Sequence, residues 1–291
     1  MKKRNKGILY ILMAAFFFAA MSMFVKLAGE IPTMQKCFFR NLIALVFAFA
    51  ILKRQKLGFT FDKAGLKLLL LRSACGTIGM IGYFYAIDHL LLADASMLHK
   101  LTPFFAIIFS SLFLKERTNP LQWVSVIIAF SGSLLIVKPT FELSHVTAAL
   151  SGLVGAIGAG AAYTCVRRLG SHGVKSPVIV LFFSAFSCAV TLPYVLVNYT
   201  PMSPSQLIFL LLAGAAAAGG QFSVTAAYFT SPAKEISVFD YSQVIFTAIF
   251  GFLAFEQLPD AYSIAGYVII ISSAAAMFIY NNRKSTADTS S

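Results

Sequence analysis

Apolar stretches long enough to cross a lipid bilayer follow one another along almost the whole chain, and this pattern constrains the fold most strongly. A stretch of about 20 apolar residues crosses the hydrocarbon core as an α-helix, because a helix satisfies its own backbone hydrogen bonds there. The sequence predicts an all-α integral membrane protein with ten transmembrane spans. The predicted spans are 8–28, 33–52, 66–87, 93–114, 120–138, 148–168, 176–197, 205–228, 234–255 and 261–280.

The composition excludes most soluble classes of protein. Of the 291 residues, 58% are hydrophobic and only 12% are charged, whereas roughly a quarter of a soluble chain is charged. The net charge of +12 would suggest nucleic acid in a soluble protein, but the basic residues cluster between the apolar spans. We therefore expect the lipid bilayer, and no nucleic acid, as a partner.

The sequence also argues against an enzyme. The four cysteines lie in apolar stretches without paired spacing, and no catalytic or metal-binding motif is present. We expect no metal site and no cofactor.

The distribution of basic residues predicts the orientation. Most of the 23 lysine and arginine residues lie in segments on the same side of the membrane as the N-terminus. Since cytoplasmic loops carry the excess of basic residues, both termini are predicted to be cytoplasmic. The first span lacks the cleavage site of a signal peptide and is long enough to cross. We expect a multi-pass protein of the bacterial cytoplasmic membrane.

A weak internal repeat relates the two halves of the chain. The predicted domains are two five-helix repeats, residues 1–143 and 144–280, followed by a disordered cytoplasmic tail, 281–291. Because each half has an odd number of spans, the second half enters the membrane inverted, and a central cavity is expected between the halves. One common offset pairs Gly79 with Gly219, Lys100 with Asp240 and Glu116 with Glu256.

Spans 4 and 9 each carry a charge inside an apolar stretch, which is costly unless the charge faces protein or water. Lys100 lies in span 4 and Asp240 in span 9, each about seven residues from opposite membrane surfaces. Their depths along straight helices differ by about 10 Å, so a direct ion pair is not expected. The interpretation is a cavity wall with both charges; the alternative is a structural ion pair between the halves. Residues at helical spacing beside these charges are His99, Pro103, Tyr241 and Gln243.

Other polar residues within the spans extend the candidate substrate site. Arg40 in span 2 either contributes to packing or the cavity edge, or extends to the outer surface. Tyr83, Tyr163 and Gln221 suit a small organic ligand or ordinary packing. His99 either couples a proton or is an ordinary hydrogen-bonded histidine.

Three segments resemble the drug/metabolite transporter superfamily, in its EamA-like ten-span branch. They are VKLAGEIPTMQKCFFRNLIAL (25–45), ADASMLHKLTPFFAIIFSSLFLKER (93–117) and FDYSQVIFTAIFGFLAFEQ (239–257). The resemblance implies a secondary transporter, frequently an exporter, with a cavity lined mainly by spans 1, 3, 4, 6, 8 and 9. The family often has proline in spans 4 and 9; here Pro103, the predicted hinge, is matched by Gln243.

These features predict secondary active export of a small polar anionic or zwitterionic metabolite, such as an amino or carboxylic acid, by alternating access. Lys100 and Arg40 outnumber Asp240 within the membrane, which favours an anionic group on the substrate. The alternatives are a cationic drug or amine transporter that uses Asp240, and a non-transport scaffold or channel. The sequence leaves open the coupling partner, a proton or a counter-substrate, and whether the chain is a monomer or a homodimer.

Overall fold

The computed structural model describes residues 3–56, 62–114, 120–137, 143–230 and 237–287. Each of the regular elements in these ranges is a helix, and a short 3₁₀ helix, Ser237–Tyr241, precedes α10. The α-helices are α1 Lys3–Leu27, α2 Thr33–Gln55, α3 Lys63–His89, α4 Leu92–His99, α5 Thr102–Leu114, α6 Pro120–Val137, α7 Leu143–Ser171, α8 Ser176–Val197, α9 Pro204–Thr230, α10 Ser242–Phe255 and α11 Ala261–Ala287.

The helices have the length and hydropathy of a membrane protein, so the all-α membrane architecture is confirmed. Eight helical segments in the described residues are long and apolar enough to cross a bilayer, and one of them, Leu92–Phe113, joins α4 and α5. Two shorter apolar helices, Trp123–Ile136 and Phe239–Phe255, lie where spans 5 and 9 are predicted.

The end of the last helix differs from the prediction. Helix α11 continues to Ala287, so residues 281–287 are helical where a disordered tail was predicted. Neither glycine nor proline occurs between Tyr280 and Ala287, so nothing in this polar segment breaks the helix. Residues 288–291 lie outside the described residues.

The packing of the helices follows a pattern that is preserved when the two halves are exchanged. Helix α3 packs against α7, and its counterpart α9 packs against α1, the counterpart of α7. The contacts α5–α7 and α1–α10 are related in the same way, as are α3–α8 and α2–α9. Helix α2 packs against its own counterpart α8, and α6 against α11.

Glycines bring the backbones of α3 and α7 into direct contact. A Cβ atom added to Gly82 would lie 2.5 Å from the Ser151 carbonyl oxygen, and one added to Gly158 would lie 2.6 Å from the Cys75 carbonyl oxygen. Both distances are too short for real atoms, so only glycine permits this approach. The crossing fixes α3 and α7, which carry Tyr83 and Tyr163.

At the end of the bundle where α3 stops, polar side chains connect the two halves. The Leu92 backbone N–H donates to Gln257 Oε1 at 3.0 Å, and Gln35 Nε2 donates to the Thr200 carbonyl oxygen at 2.9 Å. Lys26 Nζ donates to two carbonyl oxygens at the end of α3, those of Ile87 at 2.8 Å and Leu90 at 2.5 Å. The bonds to the Leu92 N–H and the Ile87 carbonyl oxygen satisfy backbone groups that helix ends leave unpaired.

Candidate functional site

The predicted span 4 is broken in the middle, and the sequence explains why. Only two residues, Lys100 and Leu101, separate α4 from α5. In a continuous helix the carbonyl oxygen of His99 would accept from the backbone of residue 103, but Pro103 has no N–H to donate. The Thr102 hydroxyl donates to this oxygen instead, at 2.6 Å. Pro103 itself lies in the first turn of α5, where proline is tolerated.

The corresponding segment of the second half is also irregular beside its charge. Asp240 lies in the 3₁₀ helix, and Tyr241 directly precedes α10. The Tyr241 hydroxyl donates to the carbonyl oxygen of Lys100 at 3.2 Å. The two irregular segments therefore meet, and one of them satisfies a backbone group of the other.

Lys100 and Asp240 form an ion pair, with 2.5 Å between Nζ and Oδ2. The predicted separation of about 10 Å is therefore wrong. That estimate compared depths along two straight helices, whereas both segments leave regular α-helical geometry at these residues. It also neglected the flexible four-carbon stem of lysine, which carries the ammonium group away from its own Cα depth.

The two members of this pair differ in exposure. The Lys100 side chain is 8% exposed, whereas that of Asp240 is 29% exposed. The carboxylate is therefore the more accessible member of the pair, and the ammonium group is the more shielded one.

Polar groups centred on Tyr83 lie beside the residues that flank the pair, and His99 is within electrostatic range of both Lys100 and Asp240. The Tyr83 hydroxyl forms buried hydrogen bonds with Ser22 Oγ at 2.9 Å and Ser96 Oγ at 3.1 Å. The His99 ring lies against the Tyr83 ring, with 4.3 Å between the ring centroids. Gln243 is buried and its side chain lies close to the Tyr83 hydroxyl. We call Lys100, Asp240, Tyr83, His99, Tyr241 and Gln243 the central cluster.

The remaining predicted site residues lie elsewhere. Arg40 and Gln221 line a separate cavity of about 480 Å³. Tyr163 is 53% exposed and lies within electrostatic range of both Asp240 and Arg40. Pro103 is exposed beside the break. Arg40 and Gln221 therefore line a cavity whose lining does not include the central cluster.

The structure decides between the two interpretations of Arg40. Its side chain does not extend to the outer surface: the residue is only 8% exposed, and Nη1 donates to Asn41 Oδ1 at 2.8 Å. Its burial and its place in the cavity lining favour the packing or cavity-edge interpretation. Arg72, for which extension toward the inner surface would be the default, stacks on Phe183 instead, with 3.9 Å from Cζ to the ring centroid.

Sequence reasoning missed several polar partners. Lys36 is fully buried and pairs with Asp88, with 2.5 Å between Nζ and Oδ1. Asp94 is buried and accepts from the Tyr267 hydroxyl at 2.6 Å. The bond between Ser22 and Tyr83 had one sequence signal: Ser22 is a hydroxyl-bearing residue within an otherwise apolar run.

A second cavity, of about 500 Å³, lies at the end of the bundle where α3 stops. Its lining includes charges of both signs, from Lys26, Asp88 and Asp94, together with His145. In the described residues, no group of three or more His, Cys, Asp or Glu side chains could hold a metal ion. The polar groups around these cavities suit non-covalent binding of a small polar molecule.

Comparison with known proteins identifies relatives along nearly the whole chain. The family model described as "EamA-like transporter family" matches residues 5–138 and 146–279. The pseudopaline exporter CntI of Pseudomonas aeruginosa is 32% identical over 275 residues, which cover 94% of this chain and 96% of that protein.

More distant relatives cover most of the chain as well. The riboflavin transporter of Vibrio cholerae is 26% identical, covering 96% of this chain and 95% of its own length. Human solute carrier family 35 member G1 is 27% identical, covering 92% of this chain and 77% of its own. A solved crystal structure matches in fold with a TM-score of 0.66 and 14% identity, covering 96% of this chain and 98% of the other.

Proposed function

Because this chain belongs to the EamA-like transporter family, it is a membrane transport protein, and we propose that it exports a small zwitterionic metabolite. The observation that carries the proposal is the Lys100–Asp240 ion pair, which joins the two halves at the point where both segments are broken. The proposed mechanism is alternating access, in which the two halves rearrange around a site at their interface.

A zwitterion fits this pair better than a simple anion does. An anion that binds Lys100 must displace Asp240 and leave the carboxylate without a partner, which is costly in a partly buried site. A molecule with both a carboxylate and an ammonium group can pair with Lys100 and Asp240 at once. The exchange replaces one ion pair by two and leaves no buried charge unpaired.

The central cluster supplies the other groups that such a substrate needs. Tyr83 and Tyr241 present aromatic surface with polar tips, and Gln243 can donate and accept hydrogen bonds. Pro103 and the break beside it are proposed as the hinge. Coupling is proposed to act through Asp240, which either a proton or a counter-substrate could neutralise and so release Lys100.

The helix contacts support the proposed ten-span inverted arrangement, since they are preserved when the halves are exchanged. Together with the excess of basic residues on one side, they favour two cytoplasmic termini in a bacterial cytoplasmic membrane. A cysteine at Ser203, exposed before α9, should react with an impermeant thiol reagent added to intact cells. A cysteine at His172, exposed between α7 and α8, should react only in opened cells.

The labelling test requires that the native cysteines do not react with the reagent, and three of the four meet this condition. Cys37, Cys165 and Cys188 are buried, and only Cys75 is partly accessible. A Cys75→Ser variant without added cysteines is therefore the control. The reverse labelling pattern would contradict the proposed orientation.

One observation favours a second candidate function, transport of a cationic amine. Asp240 is the more exposed member of the pair, at 29% against 8% for Lys100. An amine without a carboxylate could bind there, but it would leave Lys100 unpaired. The two candidates therefore differ in whether the substrate must also carry a carboxylate.

Matched ligands separate these candidates. We suggest a thermal-stability screen of the purified protein against zwitterionic metabolites, because a ligand that binds the folded state raises its melting temperature. Each stabilising compound is then compared with its decarboxylated and its deaminated analogue. The zwitterion proposal expects both analogues to lose the effect. If the decarboxylated analogue, an amine, still raises the melting temperature, the cationic function replaces the proposal. If the deaminated analogue, an acid, still raises it, the substrate is an anion.

Transport itself is tested with the ligand that the screen identifies. Inside-out vesicles should accumulate this compound, and right-side-out vesicles should release it, if the direction is export. Accumulation should respond to a proton gradient or to a preloaded counter-substrate, according to which of them is coupled. Facilitated flux that neither one changes would contradict secondary active transport.

A further inference from the structure

We propose that the cavity lined by Arg40 and Arg72 is a second binding site, separate from the central cluster, for an organic anion with an apolar body. The anionic group would be a carboxylate or a phosphate. It could belong to a free metabolite or to the headgroup of an anionic lipid. This site goes beyond the proposed transport site and does not depend on it.

The charge of the cavity is of one sign. Arg40, Arg72 and Lys175 line it, and none of the described lining residues is an aspartate or a glutamate. In the central cluster, by contrast, the one lysine is neutralised by Asp240. Because the cationic groups in this cavity lack a paired carboxylate in its lining, a ligand has to provide the negative charge.

Four buried polar atoms of the cavity lining lack protein partners. Arg40 is more than nine-tenths buried, and its Nε has no hydrogen-bond partner in the described structure. The same holds for Arg72 Nε and Nη1, and for the hydroxyl of the fully buried Ser184. A buried unsatisfied donor costs about 1–3 kcal/mol, so these groups point to an acceptor that the protein itself does not provide.

Arg72 is held in place rather than left free to extend toward water. Its guanidinium stacks on the Phe183 ring at 3.9 Å, and Gly76 leaves room for both. A Cβ atom at Gly76 would lie 3.2 Å from Arg72 Nη1 and 3.0 Å from the Phe183 ring. A fixed, planar guanidinium matches the geometry of carboxylate and phosphate groups.

The shape of the cavity suits a ligand with an apolar body. Its volume of about 480 Å³ is within the range of small-molecule sites. Phe47, Ile51 and Phe222 form much of its apolar wall. Lys175 and Gln55 lie at helix ends, whereas Arg40 lies about 22 Å from Gln55 along α2. An amphipathic anion can therefore contact the basic groups and the apolar wall together.

The test uses two aromatic probes of matched shape, phenylacetate and its neutral analogue phenylacetamide. The full-length protein is placed in nanodiscs of phosphatidylcholine, and binding is measured by ligand-observed NMR titration. We expect saturable binding of phenylacetate at least about tenfold tighter than that of phenylacetamide, because only the anion pairs with the guanidinium groups. Equal affinities for the two probes would overturn the proposal.

Variants locate the bound anion. Arg72→Gln and Arg40→Gln should each weaken phenylacetate binding about tenfold or more. Arg72→Lys keeps the charge but not the planar guanidinium, so its affinity for phenylacetate should lie between those of the unchanged protein and Arg72→Gln. Arg54→Gln removes a charge from the exposed end of α2, outside the cavity, and should leave the affinity unchanged. Unchanged affinity in folded Arg72→Gln and Arg40→Gln proteins would overturn the proposal.

A second lipid composition identifies the source of the anion. In nanodiscs that also contain phosphatidylglycerol, a lipid site predicts that phenylacetate binding weakens and that native mass spectrometry detects retained phosphatidylglycerol, lost in Arg72→Gln. A metabolite site predicts unchanged phenylacetate binding. Both results support an anion site and differ only in its occupant. A variant that loses transport but still binds phenylacetate would concern the proposed transport site and would leave the second-site proposal unaffected.

Discussion

Span 4 and span 9 occupy equivalent places in the two halves and are irregular near equivalent positions, but for different reasons. In span 4 the break follows from the local sequence: Pro103 removes a backbone donor, and Thr102 supplies a hydroxyl in its place. Span 9 has Gln243 where the first half has proline, so this local cause is absent there. Asp240 and Tyr241, in its 3₁₀ helix, contact Lys100 beside the first break.

The comparison suggests that the two halves contribute unequally to the site. The first half supplies a shielded ammonium group beside a break that it forms by itself. The second half supplies a partly buried carboxylate on a segment that has no proline at the equivalent position. Substitutions in the two segments should therefore have different consequences, although the segments are related by the repeat.

The largest difference is expected for the two charges. Asp240→Asn strands the 8%-exposed ammonium group of Lys100 and should destabilise the protein by about 3–5 kcal/mol, the cost of breaking a buried pair. Lys100→Gln leaves a carboxylate that is 29% exposed and should cost less. Reversible unfolding in mixed detergent measures both values.

A charge exchange serves as the control for this difference. Lys100→Asp combined with Asp240→Lys retains the pair and should recover much of the lost stability. Both single variants should abolish transport, because each removes one partner of the proposed zwitterion. Equal destabilisation by the two single variants would show that exposure does not distinguish the charges.

The break in span 4 is the next target. Pro103→Ala restores the backbone donor to the His99 carbonyl oxygen and should favour a continuous helix. If one additional hydrogen bond of about 1 kcal/mol stabilises one conformation, transport should slow by about fivefold. Ligand affinity, measured separately by thermal shift, should change little.

Pro120→Ala is the matched control for Pro103→Ala. Pro120 is exposed at the first position of α6, where no break occurs, so transport should be unaffected. A loss of ligand affinity in Pro103→Ala with normal transport rates would instead make Pro103 a contact residue rather than a hinge.

The smallest effect is expected for the hydroxyl that replaces the missing donor. Thr102→Val removes the bond to the His99 carbonyl oxygen and should cost about 1 kcal/mol of unfolding free energy. The same substitution should cost less in a Pro103→Ala background, where a backbone N–H can take over. A double-mutant cycle over these variants measures the difference; strict additivity would contradict the replacement of one donor by the other.

The helices and the local break were accessible from the sequence because both have local causes. A run of apolar residues has few alternatives to a membrane helix, and Pro103 can act only on the helix that contains it. The position of one helix relative to another has no such local signal. The separation of Lys100 from Asp240 was therefore misjudged. Arg40 was predicted in the same site as Lys100, and it lines a cavity whose lining does not include Lys100.

The missed Lys36–Asp88 pair shows where more could have been inferred. Lys36 lies near the start of α2 and Asp88 near the end of α3. Because consecutive helices run in opposite directions, these two ends lie at the same level of the bundle. Opposite charges at adjoining ends of a helical hairpin can be recognised in the sequence. The rotation of each helix about its own axis cannot.

The distance along the chain between the partners of the central ion pair also has a consequence for biosynthesis. Asp240 follows Lys100 by 140 positions, so at about 5–20 residues per second the ribosome makes Lys100 roughly 7–28 s before its partner. During this interval the first half holds an unpaired ammonium group, which insertion scales value at about 2.5–3.5 kcal/mol in a membrane. Ser96 and Thr102 are the nearby hydroxyl-bearing residues already synthesised. The growing chain thus carries an unfinished first half through about half of its translation, and only the arrival of span 9 completes it.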